Sequence, residues 1–135
     1  MMTPLHSETL PVREQSDILL IRQLVREWAA ELGFGILDQT KLVTAASELG
    51  RNTLVHGGGG KVLLETLLKN QRRGLRLTFE DQGPGIADLA QALTDGFTTK
   101  GGLGLGLGGS KRLVNEFELV SRVGEGTRVT VTRWT

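Results

Sequence analysis

The chain has 135 residues, the length of one domain, and its 16 Lys and Arg against 15 Asp and Glu leave a formal charge of +1. That balance gives no overall field for nucleic acid or an anionic membrane, and the lack of cysteine excludes disulfides, thiolate metal sites and cysteine catalysis. Apolar residues at 39% and charged residues at 23% suit a soluble globular domain. With no signal-peptide pattern and no apolar run near the ~20 residues that span a bilayer, a cytoplasmic protein with one domain over 1–135 is expected.

Residues 5–12 read as a first strand. Ser16 or Asp17 then caps a helix over 18–32, whose Ile18, Ile21, Val25, Trp28 and Leu32 form one apolar stripe and whose stop is Gly33. Asp38 caps a second helix over 39–56, with a buried face of Leu42, Ala45, Ala46 and Leu49. Strands follow at 61–69 and 75–81, joined by a polar turn over 70–74. A short helix is expected at 88–94, another from Ser110 to Phe117, and a hairpin of 118–123 with 127–134 through Gly124-Glu125-Gly126. Helices and antiparallel strands in separate runs predict an α+β two-layer sandwich.

Chemistry-bearing residues concentrate in four places. On the second helix Glu48 and Asn52 lie four apart, on a face with Thr44, Arg51 and His56 and opposite the core stripe. A carboxylate and an amide oxygen so placed suit a hydrated Mg²⁺, and they equally suit a plain solvated face. In the strand ending at Asp81, Leu75, Leu77 and Phe79 share one side, and Asp81 has their parity. An inward carboxylate needs donors, and Gln82-Gly83-Pro84-Gly85 strips side chains from the approach. Asp81 is then either a ligand acceptor or the cap of that turn. Thr127 has the parity of Val129 and Val131, so its hydroxyl also points inward, as an ordinary strand residue or as part of a polar network with Asp81.

The fourth place is glycine. The chain has 19, about twice the usual ~7%. In the run Gly101 to Gly109, Leu103, Leu105 and Leu107 interrupt the glycines, which suggests an ordered loop anchored by side chains. Bare N–H groups entering a helix suit phosphate oxygens. Gly104, Gly106 and Gly109 match G-x-G-x-x-G, but no strand leads into them, and Ser110 stands where a Walker A loop needs lysine. Both familiar nucleotide folds are excluded.

These motifs together resemble the GHKL (Bergerat-fold) ATPases. Glu48-Leu49-Gly50-Arg51-Asn52-Thr53-Leu54-Val55-His56-Gly57 is similar to the N box, and Asp81-Gln82-Gly83-Pro84-Gly85-Ile86 to the G1 box. Gly102-Leu103-Gly104-Leu105-Gly106-Leu107 is similar to the G2 box, Phe97-Thr98-Thr99-Lys100 to the segment before it, and Gly124-Glu125-Gly126-Thr127 to the later Gly-x-Gly-Thr motif. The resemblance runs in order over residues 38–131 and implies a mixed, mainly antiparallel sheet covered by helices on one face.

It also implies ATP and Mg²⁺. Asn52 would bind the metal and Asp81 would accept from the adenine amino group, with Thr127 assisting directly or through water. Gly83, Gly85 and Ile86 would shape the base pocket, while Gly102, Gly104, Leu105, Gly106 and Leu107 would cover the phosphates near Thr99 and Lys100. The two histidines, His6 and His56, do not fit a histidine-kinase phosphoacceptor segment, and the length leaves no room for a transducer domain. The small bacterial serine/threonine kinases and anti-sigma factors remain, with Glu48 as general base.

Glu31-Leu32-Gly33-Phe34-Gly35, Asp95-Gly96-Phe97, Lys111-Arg112-Leu113, Glu116-Phe117 and Trp134 resemble the RsbT-type stressosome switch kinases. Such kinases phosphorylate STAS-domain proteins and activate a PPM-type phosphatase. Val55-His56-Gly57 is closer to the anti-sigma members, which hold a sigma factor. Three readings follow: a switch kinase, an anti-sigma factor kinase, and a nucleotide-sensing module with little turnover.

Overall fold

The computed structural model describes residues 4–88, 93 and 106–135. Its elements are β1 (Pro4–Val12), α1 (Gln15–Leu32), α2 (Ile36–Val55), β2 (Gly60–Lys69), β3 (Arg72–Asp81), α3 (Gly106–Arg112), β4 (Glu116–Arg122) and β5 (Gly126–Trp134). The five strands form one sheet in the order β1-β2-β3-β5-β4, and each described pairing is antiparallel. β3 and β4 therefore run the same way on either side of β5.

Strand alternation sorts the sheet into two faces. Leu10, Val62, Phe79, Val129 and Leu119 form one cross-strand row, and Leu64, Leu77, Val131 and Phe117 line the next. Both rows pack under α1 and α2, whose buried Ile18, Ile21, Val25, Leu42, Ala46 and Leu49 complete the core. The opposite face carries charged and hydroxyl side chains such as the Lys61–Glu80 ion pair at 3.8 Å and Arg76, whose Nε donates to Thr132 Oγ1 at 3.1 Å. The expected α+β two-layer sandwich is what forms. No helix among the described residues is long and apolar enough to cross a membrane.

Several boundaries move for identifiable reasons. α1 begins at Gln15 because Asp17 acts from inside the first turn, its Oδ2 accepting the Arg13 N–H at 2.8 Å and the Glu14 N–H at 3.2 Å. Gly33, at φ 95°, ends the helix as expected. α2 begins at Ile36, with Gly35 rather than Asp38 at the cap position, and Asp38 is paired instead with Arg133 at 2.6 Å. The turn expected over 70–74 needs only Asn70 and Gln71, both left-handed at φ 50° and 68°, so β3 starts at Arg72.

The helix expected from Ser110 to Phe117 runs instead from Gly106 to Arg112. Burial of Leu107 and Ser110 holds its glycine-rich start, and Phe117 alternates with Leu119 in β4. The helix expected at 88–94 lies almost wholly outside the described residues. His6 is in a strand, as expected, and stacks on Trp28 of α1 with ring centroids 4.3 Å apart.

Candidate nucleotide site

A third row crosses the helix-facing side at the end of the sheet: Val12, Gly60, Asp81, Thr127 and Ser121. The same alternation that buries Phe79 and Val129 thus turns a carboxylate and two hydroxyls inward, side by side. Asp81 and Thr127 meet as their parity required. The Asp81 carboxylate accepts the Gly83 N–H at 2.9 Å, and the Thr127 backbone amide lies close enough to favour its charged form. Capping the glycine turn and facing the site are therefore compatible duties of one side chain.

Burial raises the pKa of Asp81, against the lowering effects of the Gly83 and Thr127 N–H groups and the charge of His56. The end of α2 approaches the carboxylate closely. A Cβ at Gly57 would overlap the Asp81 side chain, and one at Gly83 would lie 2.7 Å from the Gly57 Cα. Gly57 and Gly83 thus let the end of α2 and the turn after β3 close directly on the carboxylate, with no side chain between them. Gly85 has φ 78° and rests on the Arg122 carbonyl, where no side chain fits.

Two hydrogen bonds staple this loop to the β4–β5 hairpin. The Gly124 N–H donates to the Pro84 carbonyl at 2.8 Å, and the Ile86 N–H donates to Ser121 Oγ, also at 2.8 Å. Ile86 packs against the core as well. Along α2, Glu48, Asn52 and His56 recur one turn apart, all half-buried. At 1.5 Å per residue Asn52 and Glu48 stand roughly 6 and 12 Å along the helix from His56.

The structure brings together Asp81, Gly83, Gly85, Ile86 and Thr127, with Asn52 and Glu48 ranked along the adjoining helix. Gly106 opens α3, and Leu107 is buried in the core, a side-chain anchor for the glycine run. Thr99, Lys100, Gly102, Gly104 and Leu105 lie outside the described residues. Gly57 and Ser121 also contribute. In sequence Gly57 is only the last residue of the run from Glu48, and the expected turn at 124–126 pairs residue 121 with Val129, whereas the observed turn at 123–125 sets Ser121 across from Thr127.

A protein-family model described as "Histidine kinase-, DNA gyrase B-, and HSP90-like ATPase" matches residues 37–134. The chain belongs to this ATPase family. The match takes in α2, the row ending in Asp81 and Thr127, and the hairpin that carries Ser121. Among members of known name, a serine/threonine-protein kinase RsbT of Bacillus subtilis is 48% identical over 118 residues, 87% of this chain and 89% of that protein. An anti-sigma F factor of Thermoanaerobacter is 32% identical over 118 residues, covering 84% of this chain and 82% of that one. A crystal structure of the RsbU and RsbW domains of a Mycobacterium tuberculosis protein superposes with a TM-score of 0.65 at 25% identity, over 97% of this chain and 32% of that chain.

Proposed function

We propose that this chain is an ATP- and Mg²⁺-dependent protein serine/threonine kinase that acts as a cytoplasmic partner switch. It phosphorylates STAS-domain antagonist or scaffold proteins and activates a PPM-type phosphatase. The observation that carries the reading is the order of groups along one edge of the fold: an acceptor flanked by glycines at Asp81, then Asn52, then Glu48. That order suits a ligand with its base at Asp81 and its phosphates along α2. The 48% identity to RsbT over nearly the full length of both chains supports the kinase assignment.

In this reading Asp81 accepts a hydrogen bond from the adenine amino group, and Gly57 and Gly83 beside it carry no side chain to displace the carboxylate. Asn52 offers an amide oxygen to Mg²⁺, a hard cation that takes oxygen ligands and keeps several waters. Phosphate oxygens and water would supply its other ligands. Bound MgATP supplies the phosphoryl group and neutralises the charge that develops on it. Glu48, one turn further on, receives the proton of the attacking serine or threonine hydroxyl.

The identity to an anti-sigma F factor favours one second reading, in which the same site phosphorylates an antagonist while the chain holds a sigma factor. Purified protein with labelled MgATP tests the kinase: transfer to a STAS-domain serine, abolished by a metal chelator, is expected. ATP binding without transfer to any STAS protein would overturn it. Capture of a sigma factor in place of a phosphatase would move the assignment to the second reading.

A further inference from the structure

Ser121 lies in β4 directly across from Thr127, and its hydroxyl has three neighbours. The Ile86 N–H donates to Oγ at 2.8 Å. The Gly126 carbonyl stands at 3.0 Å and can only accept, so the single Ser121 proton goes to it. The Thr127 hydroxyl is 2.7 Å away. With the serine proton committed, Thr127 must be the donor in that contact, to the remaining Ser121 lone pair.

Thr127 stands between Ser121 and Asp81 in the row. Its proton is turned toward Ser121, so its lone pairs are what it offers on the Asp81 side. The ionised Asp81 carboxylate also only accepts. We infer that Ser121 is a positioning residue that fixes the Thr127 proton, makes the base pocket an acceptor-only surface, and so selects 6-amino over 6-oxo purine nucleotides. A 6-amino group brings two N–H donors to that surface; a 6-oxo group brings lone pairs against lone pairs. The inference rests on the nucleotide site proposed above and adds to it the cause of base choice.

The test is calorimetric binding of ATP and of inosine triphosphate, which differs at position 6 and in carrying a proton on N1. The wild type binds ATP more tightly. In Ser121→Ala the freed Thr127 hydroxyl can rotate and donate to the oxo group, narrowing the affinity ratio about three- to tenfold, the worth of one hydrogen bond. Ser121→Thr restores the hydroxyl and the ratio. Thr127→Val narrows the ratio by itself, and adding Ser121→Ala to it changes the ratio no further, because the serine acts through that hydroxyl. An equal loss of affinity for both nucleotides in Ser121→Ala, with the ratio unchanged, would mean that Ser121 only braces the loop and would overturn the inference while leaving the nucleotide site standing. A wild type that binds both nucleotides equally would likewise overturn the inference, and one that binds neither would remove the site itself.

Discussion

Removal from water raises the pKa of Asp81 above its usual 3.8, outweighing the Gly83 and Thr127 N–H groups and the charge of His56. A raised pKa in the folded state gives a stability contribution that is full below the unfolded value and lost as pH rises through the folded one. The stability of the wild type relative to Asp81→Asn should therefore fall as pH is taken upward from about 3, read by urea unfolding at each pH. Bound ATP should reverse the preference, because an amino donor favours the charged form. Asp81→Asn should accordingly weaken ATP binding by roughly 1.5–3 kcal/mol, the worth of a hydrogen bond to a charged group. Equal affinity for wild type and variant would leave Asp81 as a turn cap alone. Gly57→Ala makes a separate prediction: its methyl enters the space of the Asp81 side chain, so ATP affinity should drop at least tenfold in a protein that still folds. Unchanged binding would show that ATP does not depend on where the Asp81 carboxylate sits. Strand parity alone located Asp81 and Thr127, since a period of two survives small errors in strand ends. The role of Gly57 depends on the end of α2 meeting the end of β3, a long-range fact that no local pattern carries.

At the level of elements, Arg133 ties three of them together. It follows Val131 on the helix-facing side of β5, where Nη1 donates to the Leu113 carbonyl at 2.9 Å and Nη2 to Asp38 Oδ1 at 2.6 Å. One guanidinium thus fixes the end of α3 and the first turn of α2 to the sheet, and Asp38 also complements the positive end of its own helix. Arg133→Met keeps the stem but leaves a carboxylate and a carbonyl without their donor. A loss of roughly 1–3 kcal/mol in urea unfolding is expected, with ATP affinity little changed because the residue lies at the far end of the sheet from Asp81. A larger loss of ATP binding than of stability would place the α2–α3 junction in the site. This pairing also explains why Asp38 does not cap α2, which begins at Ile36. Asp38 has the composition of a cap, and a partner 95 residues away in sequence claims its carboxylate instead. The end of α3 at Arg112 has a local cause: Phe117 and Leu119 alternate as in a strand, a period of two legible in the sequence beside the shorter helical run.

Across the whole molecule, α2 serves both layers of the design. One face packs Leu42, Ala45, Ala46 and Leu49 onto the sheet, and another presents Glu48 and Asn52. Because the core face fixes the helix, replacing either polar residue should leave the fold intact and report on function alone. Asn52→Ala should abolish Mg²⁺-dependent ATP binding; Glu48→Gln separates the kinase from a module that only senses nucleotide. The amide keeps the size of the carboxylate but cannot take a proton from the substrate. MgATP should bind nearly as in the wild type, since Asp81 and Asn52 remain. Transfer to a STAS-domain serine should fall by roughly 10²–10⁴, the usual worth of a positioned base. A loose phosphoryl-transfer transition state draws little on the base, which places the expected loss at the low end of that range. Single-turnover transfer from labelled ATP, run beside activation of a PPM-type phosphatase, checks both branches. Undiminished transfer would remove Glu48 from the base role. Absence of transfer even in the wild type, with phosphatase activation intact, would make ATP an effector of a binding switch and leave the acceptor row of Asp81 and Thr127 as a sensor of nucleotide.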